Sequence, residues 1–142
     1  MMKRRTLFIC EHNSARSQIA AAFLRKHGGD DYDVESAGLE PTELNPLAVA
    51  VMREAGIDIS DQKPQSVFGL FKQGKLYQTI IAVCQPAADK CPIFPGVAKR
   101  LHWPFDDPAH FTGTWEEKLS QTRQVRDQIE DTIKEWISEN QR

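Results

Sequence analysis

The stretch Thr6-Leu7-Phe8-Ile9-Cys10-Glu11-His12-Asn13-Ser14-Ala15-Arg16-Ser17 decides the fold and most of the chemistry of this 142-residue chain. Thr6 to Ile9 reads as a buried strand. The run Ile19-Ala20-Ala21-Ala22-Phe23-Leu24 reads as a helix that begins at Ser14 or Ser17 and is stopped after His27 by Gly28-Gly29. Between strand and helix lies a short loop carrying a thiol and an arginine. Such a junction suits a tetrahedral oxyanion. Successive loop N–H groups curl into a concave nest. The helix N-terminus adds partial positive charge and unpaired donors. The planar fork of Arg16 grips two oxygens of the anion. The same field favours the thiolate of Cys10, which is the nucleophilic form. Ser17 is placed to donate a hydrogen bond to that sulfur, and Asn13 tolerates the left-handed backbone that a tight loop needs. The expected substrate-binding set is Glu11, His12, Asn13, Ser14, Ala15, Arg16 and Ser17. His12 is expected to contribute its main-chain N–H, with the ring turned outward.

Outside the loop, helical and strand signals alternate. Tyr32 to Ser36 reads as a short strand broken by Ala37-Gly38. Asn45-Pro46 is an N-cap followed by proline at the first helical position, and Gly56 closes that helix. Thr79-Ile80-Ile81-Ala82-Val83 is a β-branched run suited to a central parallel strand. Lys99 to Trp103 reads as a last strand. Thr114-Trp115-Glu116-Glu117 has capping-box spacing. Beyond it Leu119, Val125, Ile129, Ile133, Trp136 and Ile137 keep helical spacing, so a long C-terminal helix should lie on the sheet. This alternation predicts an α/β fold: a three-layer sandwich around a central, mostly parallel four-stranded sheet. One domain, residues 1–142, is expected, since no repeat or linker divides the chain.

Composition excludes some functions. A net charge of -2 gives no general attraction for nucleic acid, so any pull on an anion must be local. Lys3-Arg4-Arg5 begins like a signal peptide, but the apolar run after it reaches Glu11 too soon, and no run is long enough to span a membrane. The three cysteines are an odd count without an export signal, which suits a reducing cytoplasm and reactive thiols.

In open α/β sheets, ligands bind beyond the carboxyl ends of the strands. Cys10 ends the first strand, Cys84 ends the Thr79–Val83 strand, and Asp106-Asp107-Pro108 follows the Lys99–Trp103 strand. Three chemical groups therefore meet at one rim. Cys84 and Cys91 have six residues between them, too wide for a thioredoxin-like pair, and no histidine lies between them to complete a metal site. Taken alone, they read as two unrelated cysteines. With Cys10 at the same rim, a relay of thiols is the better account. Asp107 next to Pro108 fits a general acid; Asp106 is the alternative, and either could simply begin a turn. Trp103, Trp115 and Trp136 read as packing residues.

The loop, through Cys10, Asn13, Arg16 and Ser17, resembles that of the low-molecular-weight protein tyrosine phosphatases and of the arsenate reductases that share their fold. Ser36-Ala37-Gly38, the Cys84/Cys91 pair and Asp107-Pro108 extend the resemblance to the thioredoxin-coupled arsenate reductases of that superfamily. It implies a Cys10 nucleophile supported by Arg16, with Cys84 and Cys91 as second and third thiols and Asp107 as acid. Arsenate is the implied substrate, with phosphate or sulfate competing, and thioredoxin the external reductant. No cofactor or resident metal, no nucleic acid or membrane partner, and a monomeric state are expected. Two departures stand out. Ala15 occupies a position where some members have a further cysteine. Ala20-Ala21-Ala22 lies where some have an acidic residue that helps hold potassium. The phosphatase branch usually carries tyrosines after Asp-Pro, where this chain has Ala109-His110-Phe111. The alternative reading is a phosphatase whose nucleophile is protected from oxidation by Cys84 and Cys91.

Overall fold

The computed structural model describes residues 3–85 and 98–140. Its centre is a four-stranded sheet of β1 (Arg4–Cys10), β2 (Tyr32–Gly38), β3 (Thr79–Ala82) and β4 (Lys99–His102). The strand order is β2-β1-β3-β4 and every pairing is parallel, which makes β1 a central strand. The helices are α1 (Arg16–Gly28), α2 (Pro46–Glu54), α3 (Val67–Lys72) and α4 (Trp115–Asn140).

Alternation along β1 separates two cores. Phe8 and Cys10 pack with Ile19, Phe23 and Leu24 of α1 and with Val125, Ile129 and Ile133 of α4. Leu7 and Ile9 point the other way and pack with Val67 and Leu70 of α3 and with Ile80. Burial on both faces explains why β1 is apolar throughout its second half. Burying each such side chain contributes about 1.5–3 kcal/mol. The residues expected to face the sheet from the C-terminal helix are all buried in α4. Its capping box is reciprocal: Glu117 N–H donates to Thr114 Oγ1, and Thr114 N–H to Glu117 Oε1, both at 3.2 Å. Asn45 caps α2 by accepting from Leu47 N–H at 2.8 Å.

One local expectation changes and two features are new. Ala37 and Gly38 do not break β2; they are its last two residues, and Gly38 pairs with Cys10. The short helix α3 had no distinct sequence signal, and Ser66 caps it from outside. Arg4 donates to the Tyr32 hydroxyl at 3.3 Å and to the carbonyl of Asn140 at 3.2 Å, near the end of α4. Among the described residues, no helix is long and apolar enough to cross a membrane.

Candidate active site

The loop after β1 is shaped by its carbonyl groups. Those of Cys10, Glu11, His12 and Ser14 accept from the N–H groups of Leu39, Glu40, Thr42 and Asn45, at 3.2, 2.8, 3.2 and 2.9 Å. The segment after β2 thus runs along the outside of the loop and ties its carbonyls outward. Asn13 sits at φ 53°, the left-handed backbone that curls such a turn into a nest. Gly38 makes this closeness possible. A Cβ there would lie 2.8 Å from Asn13 N and His12 C and 2.9 Å from Glu11 O, all main-chain atoms. The glycine reflects close approach of two backbones, with no need for positive φ.

Cys10 is a free thiol, 2% exposed. Its sulfur accepts from the Asn13 main-chain N–H at 3.1 Å and lies 3.0 Å from Ser17 Oγ. Ser17 in turn accepts from Asn13 Nδ2 at 2.6 Å. The sulfur therefore has the expected serine contact and one main-chain donor. Asn13, Ser14, Ala15, Arg16 and Ser17 are buried, while Glu11 and His12 are partly exposed. The His12 ring lies with Nδ1 2.9 Å from the Glu40 carbonyl and Nε2 3.7 Å from Glu11 Oε1.

Arg16 is only 2% exposed and reaches across to the opposite rim loop. One terminal nitrogen donates to the Phe105 carbonyl at 3.2 Å and the other to Asp107 Oδ2 at 3.1 Å. The second oxygen of Asp107, Oδ1, accepts from Ala109 N–H at 3.0 Å and caps the short turn Pro108–His110. Asp107 thus both begins a turn and faces the loop arginine. Asp106 is exposed and accepts from Gln85 at 2.8 Å. Geometry separates the two candidates: Asp107 belongs to the Arg16 site and Asp106 to its flank.

Cys84 is fully buried and lies just beyond β3. Ile9 pairs with Ala82, and Val83 N–H donates to the Ile9 carbonyl at 2.9 Å. Continuing that register sets Cys84 one residue past the level of Cys10 on the neighbouring strand. The ring of His102 at the end of β4 contacts the Cys84 carbonyl at 2.7 Å. Cys84 is disulfide-bonded. Cys91 lies outside the described residues. Among the described residues, no group of three or more His, Cys, Asp or Glu could hold a metal ion.

Two glutamines that the sequence did not single out complete the loop. Gln18 Nε2 donates at 3.2 Å to both the main-chain and side-chain oxygens of Asn13. Gln65 N–H donates to Asn13 Oδ1 at 3.0 Å, its carbonyl accepts from Gly38 N–H at 2.9 Å, and its side chain donates to the Ser36 carbonyl at 2.9 Å. A polar residue between Ser17 and an apolar helix face was the available signal for Gln18. Gln65 had none, because its contacts come from chain segments far apart in sequence.

An all-parallel α/β sheet with a thiol and an arginine on an oxyanion loop defines the class: a cysteine-dependent oxyanion enzyme. The chain belongs to the family described as low molecular weight phosphotyrosine protein phosphatase, which it matches over residues 5–142. It is similar to an arsenate reductase of Bacillus licheniformis, 47% identical over 137 residues and covering 96% of each chain. The solved structure of an arsenate reductase from Archaeoglobus fulgidus resembles it with a TM-score of 0.76 at 25% identity, covering 94% of this chain and 98% of that one. A thioredoxin-dependent arsenate reductase from Corynebacterium glutamicum has a TM-score of 0.61 at 28% identity, covering 93% of this chain and 62% of the other.

Proposed function

We propose that this chain reduces arsenate to arsenite through a Cys10–Cys84–Cys91 thiol relay that thioredoxin regenerates, and that it serves arsenic detoxification as a cytoplasmic monomer. The observation that carries this reading is Cys84, a second cysteine at the rim beside Cys10. Hydrolysis of an ester would need only Cys10, Arg16 and Asp107. Its relatives named arsenate reductase support the same choice.

The steps follow from the residues. The loop N–H groups and Arg16 hold the arsenate oxygens. The Cys10 thiolate attacks arsenic and an oxygen departs as water, protonated by Asp107. Cys84 as thiolate then attacks the Cys10 sulfur. The sulfur–arsenic bond breaks and its electron pair passes to arsenic, which leaves as arsenite. Two thiols have then lost two electrons and form a Cys10–Cys84 disulfide. Cys91 attacks Cys84, frees the Cys10 thiolate and carries the disulfide away. An external dithiol reduces the Cys84–Cys91 bond.

Phosphate and sulfate are tetrahedral and should compete at the same loop. The alternative, a phosphatase with a redox-protected nucleophile, rests on the sufficiency of Cys10, Arg16 and Asp107 for ester hydrolysis. Against it, Ala109-His110-Phe111 offers no tyrosines beside Asp107 to hold an aryl group. The deciding experiment compares arsenate turnover driven by a thioredoxin system with hydrolysis of an aryl phosphate. Faster arsenate turnover is expected. Efficient hydrolysis without thioredoxin-dependent arsenite release would favour the alternative.

A further inference from the structure

Asn13 has two ways to orient its side-chain amide, and only one serves the nucleophile. In the observed orientation Nδ2 donates to Ser17 Oγ at 2.6 Å. That bond fills an acceptor position on the hydroxyl and leaves its single proton free for the Cys10 sulfur, 3.0 Å away. Reversed, the amide would present Oδ1 to Ser17 and draw the hydroxyl proton away from sulfur. Two donors select between these states. Gln65 N–H at 3.0 Å and Gln18 Nε2 at 3.2 Å both reach Asn13 Oδ1. A reversed amide would set its own NH2 against both.

Gln18 does more than add a second donor. Its Nε2 also donates to the Asn13 carbonyl at 3.2 Å, which helps hold that residue at φ 53°. Gln18 is itself 2% exposed. A buried amide has no bulk water to replace lost partners, so these bonds fix its own orientation too.

We propose that Gln18 is a positioning residue for the nucleophile: through Asn13 and then Ser17, it directs a hydroxyl proton onto the Cys10 sulfur and so stabilises the thiolate. The inference deepens the proposed function and rests on its reading of Cys10 as the attacking thiolate. Gln18 touches neither the sulfur nor the oxyanion pocket; its effect travels along donor and acceptor directions.

Gln18→Met tests this by keeping side-chain length and removing both donors. Reduced protein is treated with iodoacetamide over a range of pH, and each cysteine is read by peptide mass. In wild type, Cys10 should label faster than the other cysteines at roughly pH 6. Gln18→Met should slow Cys10 labelling about tenfold at that pH, the scale of one hydrogen bond to a charged group. The two rates should converge at high pH, where both proteins hold the thiolate. Among the described residues, the charged groups at the site are Arg16 on α1, Glu11 and His12 on the loop, Asp107 after β4, and His110, which lies 3.9 Å from Asp107, and none of them is altered by the substitution. In a Ser17→Ala background, Gln18→Met should add nothing, because the path runs through the hydroxyl. Protection of Cys10 by sulfate verifies that the loop is intact. Gln18→Ala replaces the variant if Gln18→Met does not fold, with the same expected outcomes. An unchanged profile in a folded variant, or effects of Gln18 and Ser17 that multiply, would overturn the proposal. Wild-type Cys10 no more reactive than the other cysteines would instead overturn the nucleophile reading.

Discussion

The two halves of the rim are held in different ways. The oxyanion loop is tied main chain to main chain, through the carbonyls of Cys10, Glu11, His12 and Ser14 and the strand pairing of Cys10 with Gly38. Beyond its strand pairing, the described part of the opposite half is joined by side chains: Arg16 to Asp107 and Phe105, Gln85 to Asp106, and the His102 ring to the Cys84 carbonyl. Main-chain ties give a loop with one shape, as a preorganised oxyanion site requires. Side-chain ties can be exchanged without refolding a strand. That suits a half where an acid must deliver a proton and sulfurs must change partners. Arg16 belongs to both halves, since it starts α1 and ends on Asp107.

The sharpest way to separate the halves is Cys84→Ser. It should abolish multiple-turnover arsenate reduction driven by thioredoxin while leaving weak hydrolysis of an aryl phosphate, because the loop is untouched. Reduction that survives with thioredoxin as the only reductant removes Cys84 from the relay.

Asp107→Asn should lower arsenate turnover about 10²–10⁴-fold, the usual contribution of a positioned acid. The same variant should bind sulfate at least as tightly as wild type, because Arg16 loses an anionic partner. Titration calorimetry alongside kinetics would show whether the acid half is separable from binding; weaker sulfate binding would argue that the halves share one structure.

Gly38→Ala attacks the bound half from outside. Its new methyl group meets main chain at 2.8–2.9 Å, so strand or loop must move. Misplacing the loop by a fraction of an ångström should cost on the order of 10²-fold in both reductase and hydrolase activity. Overpacking should cost about 1–3 kcal/mol of stability by thermal melting. Loss of only one activity would show that the loop does not serve both reactions as one rigid unit.

Glu54→Gln is the smallest and serves as a control far from the rim. Glu54 joins α2 to α4 through Arg123 at 2.8 Å and Arg126 at 3.1 Å. Hydrogen bonding from Arg123 holds its carboxyl below the ordinary glutamate range, despite an opposing desolvation effect. A depressed carboxyl stabilises the fold above its unfolded-state pKa, and that contribution disappears as pH falls through the folded value. The pair is exposed, so the substitution should lower the melting temperature by only about 1–2 °C near neutrality, and by less in acid. Cys10 labelling should not change.

Much of this arrangement was legible in the chain because it depends on local pattern. A buried strand, a cysteine loop and an apolar helix in immediate succession define β1, the nest and α1. The spacing of Leu119 through Ile137 defines the buried face of α4. The left-handed Asn13 and its partner Ser17 were also readable, since both lie within the loop. The support of the loop was not. Gly38 looked like a strand breaker because its role depends on main-chain atoms some 25 residues earlier, which pass too close for a side chain. Gln65 reaches Asn13 across 52 positions, and Arg16 reaches Asp107 across 91. Such contacts exist only after the sheet has brought distant segments together. Asp106 and Asp107 are adjacent and chemically alike, and burial and their different partners in the fold separate them.

Disulfide mapping of Cys91→Ser tests the three-thiol relay itself. With Cys91 removed, the relay predicts about one arsenite released per enzyme and a stalled Cys10–Cys84 disulfide, identified by peptide mass. Wild-type enzyme treated in the same way should instead yield Cys84–Cys91, with Cys10 free. Oxidised wild type that keeps Cys91 as a free thiol, yet continues to turn over arsenate with thioredoxin, would contradict the three-thiol relay.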